Sequence, residues 1–449
     1  MNRMEKDLTQ GSVWKGVVFF SLPYFLSYFL QTLYGMADLF IIGQFDGVAS
    51  TTAVSIGSQV MHMPTVMLVG LAMGTTVCIG QAVGGKRERE AGQAIGNTVI
   101  LFTGIAVILT AVLFFLVGPI VSIMSTPAEA VAGTRQYLRI CFLGIPFITA
   151  YNVLSSIFRG KGDSKSPMYF IALACACNIA LDYLFMGAMH MGPAGAALGT
   201  TIAQAVSVAA ALTVILKRKM LAVRREDFCP LPAVLRQLLK IGIPVALQDG
   251  FIQVSFVLIT IFANQRGLTD AAAVGIVEKI MSFVFLIPSS MLSTVSALAS
   301  QNIGAGKPER AVSVLRCAII MAVGLSLCFA AGVQLAAENI VGLFTTDAAV
   351  QIAGGQYIRS YIWDGVFGGI QFSFSGYFCA LGRSELSFLH NLISILVVRL
   401  PGAYFASKVV ETLFPMGLAS ACGSLLSDFV CLAAFFWLKR QAGRKKAEV

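Results

Sequence analysis

Two carboxylates sit where a carboxylate is hard to keep. Asp38 falls in "LQTLYGMADLFIIGQF" and Asp182 in "NIALDYLFMGA", both among Leu, Ile, Phe, Ala and Met. Charge in such surroundings is expensive and is retained where it is paired or used. Asn178 lies four residues before Asp182, one turn away on the same face of a helix. Tyr137 and Thr200 open two further apolar runs. At a helical rise of about 1.5 Å per residue, Asp38 lies about 12 Å inside the loop that begins near Asp46. Asp182 sits at a similar depth from the end of its own segment. Two acids, an amide, a phenol and a hydroxyl at one level make an oxygen-rich set. Such a set suits a hard cation such as Na+, or two acids sharing a proton. The plainer alternative is that both acids only accept hydrogen bonds in a packed helix interface.

The elements that must position these groups belong in a bilayer. The 449 residues are 57% hydrophobic and 12% charged, with mean hydropathy +0.80. Soluble domains carry about a quarter charged residues, so the composition excludes an ordinary soluble protein. Twelve apolar segments are long enough to cross as helices, which takes about 20 residues each. They cover 16–43, 52–82, 94–118, 134–158, 167–189, 194–216, 237–264, 271–298, 310–334, 355–380, 386–407 and 415–438. Runs of this length exclude the alternating strands of a membrane β-barrel, about ten residues each. Pro23, Pro146, Pro244 and Pro288 fall inside spans and are expected to kink them.

With the N-terminus on side one, alternate loops place 25 of the 32 Lys and Arg residues on that same side. The positive-inside rule then puts both termini in the cytoplasm of a cell that carries the protein in its inner membrane. Topology accounts for the net charge of +10, so no nucleic-acid partner is expected. The ten cysteines are scattered without ligand spacing and read as small apolar fillers. His62, His190 and His390 are too far apart in sequence to suggest a metal site. "GQAVGG" and "QNIGAG" lack the Lys-Ser/Thr of a phosphate-binding loop, so no ATP use is expected. The polar N-terminus shows no small-residue cleavage site after it and is not expected to be a removable signal.

The chain repeats itself. "SLPYFLSYFLQTLYG" pairs with "GIPVALQDGFIQVSF", and "GQAVGGKRER" with "SQNIGAGKPER". "TRQYLRICFLG" pairs with "GGQYIRSYIWDG", and "GKGDSKS" with "CALGRSE". The offset is 220 or 221 residues throughout. Six spans is an even number, so both copies enter the membrane from the same side and are parallel repeats. The expected fold class is an all-α polytopic membrane protein: twelve transmembrane helices in two six-helix lobes around a central cleft. The expected division is an N-lobe over 1–216, a basic cytoplasmic linker over 217–236, a C-lobe over 237–438 and a basic tail over 439–449.

Several blocks together resemble the MATE family of multidrug and toxic-compound extruders, in its prokaryotic form. They are "ADLFIIGQFDGVASTTAVSIG", "GQAVGGKREREAGQAIGN", "FRGKGDSKSPM" and "NIALDYLFMGAMHMGPAGAALGTTIAQ". The resemblance covers essentially the whole chain, and the blocks keep their order and spacing. It implies a secondary antiporter, not an enzyme, exporting amphipathic and mostly cationic compounds in exchange for H+ or Na+. It implies no cofactor beyond that ion, and a monomer. It also implies that Asp38, Tyr137, Asn178, Asp182 and Thr200 form the N-lobe cation and proton site, with Gln31 a nearby polar position. If the ion is Na+, its ligands come from Asp38, Asn178, Asp182 and Thr200. The competing expectation is a flippase for an amphipathic or lipid-linked substrate.

The repeat serves as an internal control. At these offsets Asp38 corresponds to Ile259, and Asn178 and Asp182 to Val398 and Gly402. A role demanded by the fold would recur in both lobes, so the asymmetry favours function. In the C-lobe, Asp249, Gln253, Glu278 and Asp364 are candidates for substrate contacts or polar pairing, with Lys279, Arg399 and Asp428 nearby in sequence or depth. Some family members carry a glutamate in the middle of helix 7, where this chain has Ile252 and Gln253. A C-lobe cation site of that kind is therefore not expected, and structural pairing is the expectation for most of these residues. Arg139 and Arg359 recur in both lobes and read as structural.

Overall fold

The computed structural model describes residues 8–218 and 223–447. Among the described residues every regular element is helical. Twelve rods follow one another: α1 (Val13–Phe45), α2 (Val48–Gly84), α3 (Glu88–Ile123), α4 (Ala128–Leu143 continued by Ile145–Gly160), α5 (Lys165–Ala188) and α6 (Pro193–Arg218). The second six are α7 (Pro232–Asn264), α8 (Leu268–Gly304), α9 (Pro308–Gly342), α10 (Ala348–Ala380), α11 (Ser384–Val409) and α12 (Phe414–Ala447). Ten of these are long and apolar enough to cross a bilayer, and the bent α4 makes an eleventh. The twelfth, α10, has 33 residues but carries Arg359, Asp364 and three glutamines, and most of it is buried. A rod of 33 residues is about 50 Å long, more than a hydrocarbon core of about 30 Å. The helices therefore extend past the apolar segments that mark them in the sequence.

The prolines act unequally. Pro146 opens the second half of α4, where the helix bends by 45° at Gly144. A proline there lacks the N–H that would continue the first half. By contrast α1 stays helical through Pro23, and α7 through Pro244. α5 winds as an α-helix as far as Asp182 and as a wider π turn over Tyr183–Ala188.

The contacts sort the helices into two compact units. The first centres on Phe19–Gly242 with Gly304–Gly306, and the second on Gly11–Val18, Ile243–Ile303 and the chain from Lys307 onward. Among the described residues the first contains two apolar clusters along its length. One holds Ile41, Ile42, Tyr137, Leu138 and Phe142, and the other Tyr151, Phe158, Phe170 and Ile171. In the second unit Val277, Tyr357, Ile358, Tyr361 and Ile362 form the centre of one cluster.

The linker begins at the end of α6, and its residues 219–222 lie outside the described residues. Its second half is pinned to α3. A short turn over Arg225–Phe228 lies so close to α3 that a Cβ on Gly96 would stand 2.1 Å from the Asp227 carbonyl oxygen. Asn97 Nδ2 donates to the carbonyls of Asp227 (3.4 Å) and Cys229 (3.3 Å), and its Oδ1 accepts from the Leu231 amide at 2.7 Å.

Candidate cation site

Three helices of the first unit bring polar groups together. α1 places Gln31, Tyr34 and Asp38 along one stripe at helical spacing. α5 contributes Asn178 and Asp182, one turn apart, and α6 contributes Thr200 and Gln204, also one turn apart. Asp38 is 3% exposed, Asn178 1% and Asp182 0%. The Thr200 hydroxyl donates to Asp38 Oδ2 at 3.2 Å. The carboxyl groups of Asp38 and Asp182 lie within interaction distance of one another, and Asn178 reaches Asp38.

Close approach at this point depends on a missing side chain. Gly199 on α6 faces α5, and a Cβ there would stand 2.3 Å from Asp182 Oδ1 and 3.6 Å from Asn178 Nδ2. Glycine in a helix interior costs about 1 kcal/mol relative to alanine. Here it lets the α6 backbone close over the acid.

Buried polar atoms in folded proteins nearly always have partners. This cluster departs from that rule. Although Asp38, Asp182 and Asn178 lie side by side, Asp38 Oδ1, both oxygens of Asp182, and both Oδ1 and Nδ2 of Asn178 make no hydrogen bond of ordinary geometry. No Lys or Arg among the described residues forms an ion pair with either acid. Two neighbouring buried carboxylates with no base beside them cannot both be charged without a counter-ion, because desolvation and mutual repulsion act together. Three carboxylate oxygens without a donor, with the Asn178 and Thr200 oxygens, are the donor set a hard monovalent cation or a shared proton calls for.

A polar space adjoins the acids. Tyr34, Asn178, Thr200 and Gln204 line one small pocket. Beside it is a cavity of about 40 Å³ whose polar wall is Gln31, Tyr34, Thr65, Asn152, Thr200 and Gln204. That is room for water, with Gln204 Nε2 donating to the Tyr34 hydroxyl at 3.5 Å across the wall.

Of the residues singled out in the sequence, Asp38, Asn178, Asp182 and Thr200 meet. Gln31 lines the adjoining cavity. Tyr137 is buried against the same apolar cluster, but its hydroxyl pairs with Ser58 at 3.1 Å. Its ring occupies the space that Gly57 leaves, where a Cβ would come within 2.3 Å. Sequence reasoning missed Tyr34, Ser58, Gly199 and Gln204. Only Gly199 carried a signal, as a helix-weakening residue directly before Thr200.

Of the C-lobe candidates, Asp364 and Glu278 lie near one another about Arg399, whereas Asp249 has no charged neighbour among the described residues. Asp364 accepts Arg399 Nη2 on both oxygens, at 2.9 and 2.8 Å, and the Ser424 hydroxyl bonds to it as well. Glu278 accepts from the hydroxyls of Tyr357 (3.4 Å) and Tyr361 (3.5 Å). Asp249 and Gln253 are half-buried on α7, and Lys279 is exposed. Arg359 makes a two-pronged pair with Glu338 at 2.7 and 2.8 Å, whereas Arg139 is exposed.

The comparisons with known proteins agree on one family. The MatE family profile matches twice, over residues 23–184 and 244–405. The chain is 30% identical over 443 residues to the probable multidrug resistance protein YpnP of Bacillus subtilis, covering 98% of each chain. It is 27% identical over 412 residues to the multidrug export protein MepA of Staphylococcus aureus, covering 88% of this chain and 89% of that one. A solved structure described as an outward-facing conformation of a multidrug resistance MATE family transporter superposes with a TM-score of 0.91, at 23% identity, over 100% of this chain and 99% of that one. The two matched segments begin and end 221 residues apart, whereas Tyr137 and Tyr357 are 220 apart. At 221, the residue corresponding to Asn178 is Arg399 and that corresponding to Asp182 is Ala403, so at either spacing the acids are not duplicated. Two profile matches covering most of the chain, relatives aligned from end to end and the shared all-helical fold lead to one conclusion: this chain belongs to the MATE family of membrane transporters.

Proposed function

We propose that the protein is a secondary antiporter that exports amphipathic, mostly cationic organic compounds in exchange for H+ or Na+, with Asp38 and Asp182 as the coupling acids. The observation that carries this reading is the buried acid pair without a base, three of whose four oxygens lack donors. The names of the relatives, a multidrug resistance protein and a multidrug export protein, support export of varied small molecules. A proton or Na+ entering the site neutralises charge that is otherwise costly to bury. Thr200 holds Asp38 in place, and Asn178 supplies an oxygen to a cation or hydrogen bonds to a protonated pair. The Gln31–Tyr34–Gln204 wall offers a hydrated approach. Exchange follows if ion and substrate bias one conformational equilibrium in opposite directions. The energy comes from the ion gradient across the inner membrane, and the basic loops and both termini face the cytoplasm.

A flippase for a lipid-linked pyrophosphate would need free buried cations. Of the two mid-span candidates, Arg399 is already taken by Asp364, and Lys279 is exposed. The test is export from vesicles loaded with a fluorescent organic cation under an imposed pH or Na+ gradient. Asp38→Asn is expected to lower gradient-driven export by about tenfold or more, the equivalent of about 1.4 kcal/mol. Export at the parental rate would sink the assignment.

A further inference from the structure

The interior of the C-terminal unit holds a second polar system. Along α10, Tyr357, Tyr361, Asp364, Gln371 and Ser375 are all buried, and 18 residues of helix separate the first from the last, about 27 Å. α11 and α12 pack on this face and complete it with His390, Arg399, Ser424, Ser427 and Asp428. The charges in this system do not balance. Asp364 is 0% exposed, Asp428 4%, and Glu278 is half-buried, against a single interior cation, Arg399, at 5%.

The three acids are provided for differently. Asp364 takes the guanidinium. Glu278 receives two tyrosine hydroxyls. Asp428 has no side-chain donor and no hydrogen bond of ordinary geometry on either oxygen, the nearest donor being the Gln371 backbone amide. The titratable and charged groups around Asp428 are few. Asp364 faces it from α10, and Cys431 neighbours it on α12. From α11 come His390 and Arg399, and both are engaged elsewhere. His390 Nδ1 pairs with Ser427 at 2.6 Å and Nε2 with Ser375 at 2.9 Å, while Arg399 is bound to Asp364 and Ser424. Nothing there offers Asp428 a counter-charge. Its neighbour Gln371 donates Nε2 to Ser424 at 2.7 Å and leaves Oε1 with no donor.

We propose that Asp428 is a second proton-binding site, carried by the C-terminal unit alone and distinct from Asp38–Asp182. A proton on Asp428 removes an unpaired buried charge and gives a neighbourhood of donor-less oxygens the O–H donor it lacks. A metal ion fits less well. Apart from the carboxylate itself, Gln371 Oε1 is the one neighbouring oxygen among the described residues without a donor, and Ser420 Oγ is eight residues away on α12, about 12 Å along the helix, which is too few close oxygens for a cation's coordination shell. Among the described residues no group of three or more His, Cys, Asp or Glu could hold a metal. The antiport reading above enters only the consequence for transport: one fewer proton moved per cycle when Asp428 is replaced.

The test is infrared difference spectroscopy of the full-length protein in lipid vesicles, titrated in pH with and without Na+. The protonated parent is expected to show a carboxylic-acid carbonyl band at neutral pH that Asp428→Asn removes, Asp428→Glu shifts and Asp38→Asn leaves in place. Asp428→Glu keeps the acid and guards against a variant that merely misfolds. A parental band left unmoved by Asp428→Glu would overturn the proposal. So would a band that Na+ at constant pH converts to carboxylate. A parent that shows the band yet exports nothing under a pH or Na+ gradient would refute the antiport reading and leave this one standing.

Discussion

Gly199→Ala separates coupling from folding. The new methyl would stand 2.3 Å from Asp182 Oδ1, whereas ordinary contact begins near 3.4 Å, so the carboxylate must retreat by about 1 Å. Asp182 is wholly buried and has two side-chain torsions with which to comply. Forcing extra volume into a packed site typically costs about 1–3 kcal/mol. That strain falls on the geometry that presents Asp182 to Asp38 and Asn178, so it should appear in ion affinity as a loss of roughly 5- to 150-fold. Stability should move little, because alanine in a helix recovers about 1 kcal/mol over glycine and offsets part of the strain. The expected signature is a melting temperature close to the parent with a large shift in the ion concentration that half-activates export. Ion titration of substrate export in vesicles, with thermal unfolding of the same preparation, measures both. A variant with parental ion dependence would refute the claim that α6 closes over Asp182. A variant that loses stability and ion dependence together would show that the glycine serves packing alone.

Two further outcomes test the surrounding structure. Asn97→Ala removes the side chain that serves three linker backbone groups, at a cost of about 1–3 kcal/mol, and should lower the melting temperature by several degrees; an unchanged melt would mean that the linker is held by other contacts. Arg399→Met strands Asp364 in the interior and should cost about 3–5 kcal/mol, whereas adding Asp364→Leu should recover most of that loss; equal stability of the single and double variants in thermal unfolding would deny the pair its importance.

The fold was legible because a bilayer allows so few solutions. Every backbone group must bond within its own segment, so the length of an apolar run nearly dictates a spanning helix. The acids were legible for the same reason, since charge inside such a run stands out against its surroundings. Direction was not legible. Tyr137 has the right type and depth for the acid cluster, yet its hydroxyl turns to Ser58 through space left by Gly57 on α2. Gln204 and Tyr34 are ordinary residues whose importance comes only from which helix face meets which. The π turn after Asp182 has no sequence mark, since it depends on one extra residue accommodated per turn rather than on a residue type. The grip of Asn97 on the linker joins residues 130 to 134 positions apart, beyond any local pattern.

Both copies of the repeat bury acid, but they balance it by different means. The first holds two acids side by side with no fixed base. The second places Arg399 at the position that corresponds to Asn178 at the spacing of the matched segments, and that arginine is paired with Asp364. A built-in cation removes the need for a mobile one. Duplication therefore preserved the helices while one lobe took a built-in counter-charge at the level where the other kept two acids without one. Among the acids of these two clusters, those without a base are Asp38 and Asp182 in the first lobe and Glu278 and Asp428 in the second, where Glu278 receives two tyrosine hydroxyls and Asp428 none.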